Sequence, residues 1–145
     1  RFMSQIHQYT HTHLTPGHCS AIMMTKAFEE ADFTGIHITS GSAPIHNSII
    51  RDFVSRGATF MTNWGMTEVG PCAINATFNN VDDVENAVSK RGYILGNKQY
   101  CRYIIQDNSE LIVKGNISVY DDHWFDTKDN VFEENGMIYY KGRLP

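Results

Sequence analysis

The chain has 145 residues, the length of one domain, and a globular chain of that size buries roughly two-thirds of its unfolded surface. With 41% hydrophobic, 19% charged and 12% aromatic residues, its composition excludes a disordered tail or a fibrous repeat. Lys+Arg 12 against Asp+Glu 16 gives a net charge of -4 with the basic residues scattered, which excludes the basic stripe of a nucleic-acid binder.

In chain order, Thr10-His11-Thr12-His13-Leu14 alternates and reads as a strand. Pro16-Gly17 breaks it before a helix over 20–31, rich in Ala, Met, Lys and Glu. Gly35-Ile36-His37-Ile38-Thr39-Ser40 is a second short strand, closed by Gly41-Ser42-Ala43-Pro44. Ile45, Ile49, Ile50, Phe53 and Val54 then share one helical face, with Ser42 as the expected cap and Pro44 in the first turn. A third strand over 58–64 ends at Gly65. Strand-helix alternation of this kind predicts a parallel sheet flanked by helices. The stretch from Val81 to Ser89 fits a short helix or an exposed acidic loop. Beyond Gly92 come short β runs at 102–106, 110–114, 131–133 and 137–140. Asp107-Asn108-Ser109 and Asn135-Gly136 separate them as hairpin turns, so the second half is expected to be antiparallel. The fold class expected is therefore α/β, with parallel strand-helix units followed by a small antiparallel, barrel-like part.

Asn63-Trp64-Gly65-Met66-Thr67-Glu68 stands at the end of the third strand, where ligands bind in open parallel sheets. The hexapeptide resembles the aromatic-Gly-x-Thr-Glu signature of the adenylate-forming superfamily, which includes acyl-CoA synthetases, firefly-type luciferases and peptide-synthetase adenylation domains. Further elements resemble the family in its own order: Thr12-His13 with Pro16, Ser40-Gly41-Ser42-Ala43-Pro44, Glu110-Leu111-Ile112-Val113-Lys114-Gly115, and Trp124-Phe125-Asp126-Thr127-Lys128-Asp129 with Gly142-Arg143. The resemblance covers essentially the whole chain. It implies an α/β nucleotide-binding portion over 1–80 and a mostly antiparallel portion over 81–145 that ends at an interdomain hinge.

The resemblance implies an ATP-dependent ligase that makes acyl-AMP from a carboxylic acid, using Mg²⁺, and passes the acyl group to a thiol. By this likeness Thr67 contacts the α-phosphate and Glu68 holds the metal ion, a hard cation suited to carboxylate and phosphate oxygens. Gly41, Ser42 and Ala43 give the adenine a close backbone approach, Trp64 lies against its face, and Asn63, Gly65 and Met66 complete that wall. Asp129 accepts from the ribose hydroxyls, and Arg143 reaches the ribose or phosphates. Two positions depart from the family pattern: Ser42 stands where Gly is usual, and Lys128 stands between Thr127 and Asp129 where Gly is usual. Met66 favours coenzyme A as acceptor over a carrier-protein thiol, because peptide-synthetase domains more often carry Pro there. A non-catalytic AMP-binding module is the reading from another class.

The family's phosphate loop and its Lys-bearing C-terminal lid domain have no counterpart in this sequence. With no initiator Met, and a last segment Gly142-Arg143-Leu144-Pro145 that follows a strand-like run, the chain reads as an internal fragment. Gly70-Pro71-Cys72 lies where the family borders its acyl pocket, and Cys72 reads as a buried wall residue because no base at a telling spacing supports a nucleophile. Cys19, Cys72 and Cys101 are odd in number and in no CxxC spacing, so no disulfide framework or zinc ribbon is indicated and a reducing cytosol fits. His7, His11, His13 and His18 contain an i, i+4 pair, but no carboxylate or Cys completes a metal set. No apolar run reaches the ~20 residues that cross a bilayer.

Overall fold

The computed structural model of the protein describes residues 1–115, 118–120 and 122–145, and the side chain of Pro71 lies outside that description. Its chain divides into two compact units, Arg1–Thr62 with Thr77–Val88 and Asn63–Ala76 with Ser89–Pro145.

The first unit opens with helix α1 (Phe2–Gln5) and a 3-10 turn, Ile6–Gln8, followed by strand β1 (His11–His13). Helices α2 (Pro16–Met23) and α3 (Lys26–Glu29) come next, then β2 (His37–Ser40), α4 (Asn47–Ser55), the first residues of β3 (Thr59–Met66), and α5 (Val81–Ala87). β1, β2 and β3 are parallel, with His11 opposite His37 and Ile38 opposite Phe60. The expected helix over 20–31 is two helices that begin earlier. Thr15 caps α2 in a reciprocal capping box with His18, the Thr25 hydroxyl donates to the Ile22 carbonyl 2.6 Å away, and α3 restarts after Thr25.

The cap of α4 is His46, whose ring accepts from the Ser48 amide, not Ser42. Ser42 has φ 76, a left-handed backbone outside the extended conformation a cap takes, so the helix starts later than its apolar face implies. Phe28, Phe33, Phe53 and Phe60 fill this unit's core with centroids 5.0–6.0 Å apart. The histidines serve local structure: His11 stacks on His37 at 4.8 Å, and His13 Nδ1 pairs with the Thr39 hydroxyl at 2.9 Å.

In the second unit β3 does not stop at Gly65 but continues to Met66. A three-residue turn leads into β4 (Gly70–Phe78), a strand missed by the sequence pattern. The first sheet has the order β1-β2-β3-β4-β6, where β6 is Lys98–Gln99 and pairs antiparallel with β4. β3 and β4 are hydrogen-bonded neighbours joined by so short a turn that they run antiparallel, since a parallel pair needs a crossover of a dozen or more residues. A second sheet is antiparallel with the order β5-β10-β9-β8-β7. Its strands are β5 (Tyr93–Gly96), β7 (Arg102–Ile105), β8 (Glu110–Lys114), β9 (Phe125–Glu134) and β10 (Met137–Arg143).

The α/β class with a parallel-containing sheet and a separate antiparallel sheet is thus as expected, although the antiparallel part is an open five-stranded sheet and not a closed barrel. Asn135 and Gly136, at φ 53 and 80, make the two-residue turn that the sequence predicts between β9 and β10. Trp64, Val69, Ala73, Ile74, Leu95, Leu111, Val113, Val131 and Ile138 form this unit's core. Among the described residues no helix is long and apolar enough to cross a membrane.

Candidate functional site

On β9 the side chains alternate, and Thr127, Asp129 and Val131 take the inward positions while Lys128 faces out. A carboxylate and a hydroxyl thus occupy places that an ordinary strand gives to apolar residues, and each must be hydrogen-bonded to be tolerated. The Thr127 hydroxyl donates to the Leu111 carbonyl at 2.6 Å and accepts from the Asp129 amide at 3.1 Å. Asp129, 4% exposed, accepts from the Trp64 indole N–H at 3.0 Å on Oδ2 and from Arg143 Nη1 at 2.8 Å on Oδ1. Arg143 Nη1 also donates to the Thr127 carbonyl at 2.9 Å. A carboxylate offers about four lone-pair sites, so Asp129 keeps capacity for further donors.

The Arg143–Asp129 pair depends on an irregularity. Tyr140 is opposite Val131, but Gly142 is opposite Asn130, so β10 carries one extra residue at the bulge and Arg143 lands opposite Asp129. Gly142 has φ 127, a conformation that glycine adopts without the clash a Cβ would bring. Arg143 is half-exposed and Asp129 buried, with side chains at 57% and 6% exposure, so the guanidinium brings charge to the rim of a group it also neutralises.

Trp64 is a core residue at 8% exposure, and its N–H is spent on Asp129. Asn63 precedes it on β3, and its Oδ1 is buried with no hydrogen-bond partner among the described residues. Gly65 and Met66 end the same strand half-buried, Met66 packing on the core cluster. Thr67 is exposed and Glu68 half-buried in the turn that follows. Val69 is 0% exposed, and its amide closes the turn onto the Met66 carbonyl at 3.0 Å. The Glu68 carbonyl accepts from the Val119 amide at 2.8 Å, and its carboxylate has no ion pair or hydrogen bond among the described residues. Gly70 and Cys72 belong to β4, where Cys72 is exposed and not the buried residue expected, while the Pro71 side chain lies outside the described residues. Gly41, Ser42 and Ala43 lie in the first unit on the segment after β2, Gly41 buried and the other two exposed.

The two departures from the family pattern, Ser42 and Lys128, both have left-handed backbone, at φ 76 and 63. Lys128 is held there by its amide, which donates to the buried Glu110 carboxylate at 3.1 Å, and its ammonium lies 4.0 Å from the same oxygen. Left-handed backbone costs a non-glycine residue ~1–2 kcal/mol, whereas glycine gives up ~0.5–1 kcal/mol of chain entropy and the ion pair, stretched to 4.0 Å and exposed at its ammonium end, is worth less than ~1 kcal/mol. Lys128→Gly is therefore expected to stabilise the full-length protein by ~0.5 kcal/mol, read as a higher urea midpoint with unchanged slope. A clear fall in midpoint would show that the ammonium matters more than the backbone. Sequence reasoning missed Thr127 and Glu110 as supports of this cluster. The signal for Thr127 was its place two residues before Asp129, on the same face of the strand.

The AMP-binding enzyme family model matches residues 2–117. No curated protein matches the chain in sequence. Among solved structures, the anthranilate CoA ligase AuaEII in complex with anthranoyl-AMP superposes with TM-score 0.75 at 13% identity, over 97% of this chain and 32% of that one. The amide bond synthetase McbA from Marinactinospora thermotolerans gives TM-score 0.75 at 19% identity, over 97% of this chain and 34% of that one. The adenylation domain of a keto acid-selecting NRPS module, bound to keto acyl adenylate, gives TM-score 0.70 at 14% identity, over 98% and 38%. The chain thus spans about a third of the length of the structures it resembles.

Proposed function

This chain belongs to the AMP-binding enzyme family, and on that footing we propose that it supplies the sugar- and phosphate-facing wall of an ATP-dependent ligase that converts a carboxylic acid to its acyl-AMP. The observation that carries this reading is the buried carboxylate of Asp129, fixed from two sides by Trp64 and Arg143 with acceptor capacity left over. A pair of ribose hydroxyls needs such a group: a short, fixed, ionised acceptor whose rotamer is set before the nucleotide arrives. Trp64 orients that carboxylate, and its ring, 8% exposed, remains proposed to lie against the adenine face. Asn63 Oδ1, buried and without a partner among the described residues, suits the exocyclic amino group of adenine, which would satisfy an otherwise costly acceptor. Gly65 and Met66 carry the backbone past that base. In the first unit, Gly41, Ser42 and Ala43 remain proposed as a loop that a nucleotide can approach closely.

Adenylation brings a carboxylate up to the α-phosphate, so negative charge has to be met where it accumulates. Thr67 would donate its exposed hydroxyl there. Glu68 presents a carboxylate that is unengaged among the described residues, which fits a Mg²⁺ ion held by one protein carboxylate and by the phosphates. The metal ion, when bound, neutralises the phosphate charge. Arg143 adds a permanent cation anchored on Asp129 and the Thr127 carbonyl.

The acceptor is proposed to be coenzyme A on the strength of Met66. The phosphate loop and C-terminal lid domain expected of the family are proposed as the chain's partners within the whole protein, and a reducing cytosol is proposed as its setting. Pyrophosphate exchange by the full-length protein, across fatty, aryl and amino acids, tests the reaction. Exchange with one class and conversion of that acid to its thioester by coenzyme A is the expected result. Exchange with amino acids, followed by loading of a carrier protein, would move the assignment to the peptide-synthetase type, and no exchange with any acid would remove the reading altogether.

A further inference from the structure

We propose that Cys72 and Cys101, unrelated by spacing in the sequence, are a dithiol between β4 and the segment just past β6 that closes reversibly to a disulfide. The argument is one of register. β4 and β6 pair antiparallel with Asn75 opposite Lys98 and Ile74 opposite Gln99. The Tyr100 amide donates to the Ala73 carbonyl at 2.8 Å, one of the bonds that flank the Ile74–Gln99 pair, so the chain is still beside β4 one residue past the end of β6. Carried two places beyond the last paired residues, the same register sets Cys72 opposite Cys101 at a non-hydrogen-bonded position. Cα atoms at such positions lie about 4.5 Å apart with both side chains on one face, inside the window that a disulfide spans.

A second observation agrees: the Cys101 sulfur lies 3.9 Å from the carbonyl oxygen of Ala73, the residue after Cys72, so it leans toward β4. Both residues belong to the second unit. Each is a free thiol in this structure, Cys72 exposed and Cys101 half-buried against the core cluster.

The two exposures assign the order of events. The Cys72 thiolate attacks a low-molecular-weight disulfide such as oxidised glutathione, forms a mixed disulfide and releases one thiol. The Cys101 thiolate then attacks the Cys72 sulfur, the protein disulfide forms and the second thiol leaves. In sum, two protein thiols and one external disulfide become one protein disulfide and two external thiols, so the cysteines are oxidised and the reagent reduced. Burial pushes the Cys101 thiol up, so closure speeds with rising pH as more of that thiol ionises. Cys19 stays out of the exchange: it is 0% exposed and burial pushes its thiol up to about 11.

The test uses full-length protein equilibrated with oxidised glutathione at pH 8, alkylated and digested with trypsin without reduction. Cys72 falls in peptide 57–90 and Cys101 in peptide 99–102. The expected product is these two joined, two hydrogens lighter than their sum, in more than half of the recovered Cys101, and split by dithiothreitol. Cys72→Ser abolishes it and leaves Cys101 free to alkylate. Cys72 trapped as a stable glutathione adduct beside a free Cys101 would overturn the pairing, and so would recovery of both as unmodified thiols.

Discussion

Asp129→Ala is expected to cost ~2–3 kcal/mol of stability and to raise the KM for ATP about a hundredfold, two effects that share one cause. The alanine leaves the Trp64 N–H buried without an acceptor, a loss of ~1–3 kcal/mol, and it leaves Arg143 without the charge it faces across the hairpin. Arg143, half-exposed, recovers water in exchange, so most of the stability loss is on the indole side. Asp129→Asn is no rescue. An amide that turns its oxygen to the indole turns its NH₂ to the guanidinium, donor against donor.

The decisive measurement is a cycle of Asp129→Ala, Trp64→Phe and the double variant, each followed by urea unfolding and by nucleotide affinity. Coupling of ~1.5 kcal/mol in stability is expected, because the indole N–H matters only while the carboxylate is present. Additive stability losses would show that Trp64 does not position Asp129. A normal KM for ATP in a folded Asp129→Ala protein would remove Asp129 from the ribose.

Gly96→Ala should be more damaging still, although it adds a single methyl group and removes no hydrogen bond or charge. A Cβ on Gly96 falls 2.4 Å from the carbonyl carbon and oxygen of Asn75 and 2.7 Å from its amide nitrogen, all backbone, on a residue 4% exposed. No side chain can swing aside, and the Asn97 amide holds the same carbonyl at 3.0 Å. Relief requires β4 and the end of β5 to separate, at a cost of ~3 kcal/mol or more, at the upper end of what overpacking costs. Gly136→Ala is the control, since nothing lies within 4 Å of its Cβ and only its φ of 80 is offended; that costs ~1–2 kcal/mol. Urea midpoints of the two variants in the full-length protein decide the matter. Equal losses would mean that the approach of Gly96 to Asn75 is not a tight one.

These residues also mark the limits of reading the sequence. Pro-Gly and Asn-Gly punctuation and the switch from helical to alternating patterns located most elements, because each is dictated by neighbours in the chain. β4 escaped, since Ala73, Ile74, Asn75 and Ala76 are buried in succession and show no alternation to detect. The late start of α4 was hidden in one backbone angle at Ser42, which no pattern of apolar residues reports. Within the candidate site, the hexapeptide and the Asp129 and Arg143 segments were recognisable as motifs, but Trp64 and Asp129 are 65 residues apart. Their hydrogen bond is a product of packing. The support given by Glu110 to the backbone at Lys128 was invisible for the same reason.

The extra residue in β10 makes the arm from the Asn135-Gly136 tip to Arg143 a ruler. Side chains along its outer face can change with little consequence, but the count cannot: remove one residue and Arg143 points through the opposite side of the sheet, leaving Asp129 with the indole alone. Length, more than chemistry, is what this hairpin has to preserve.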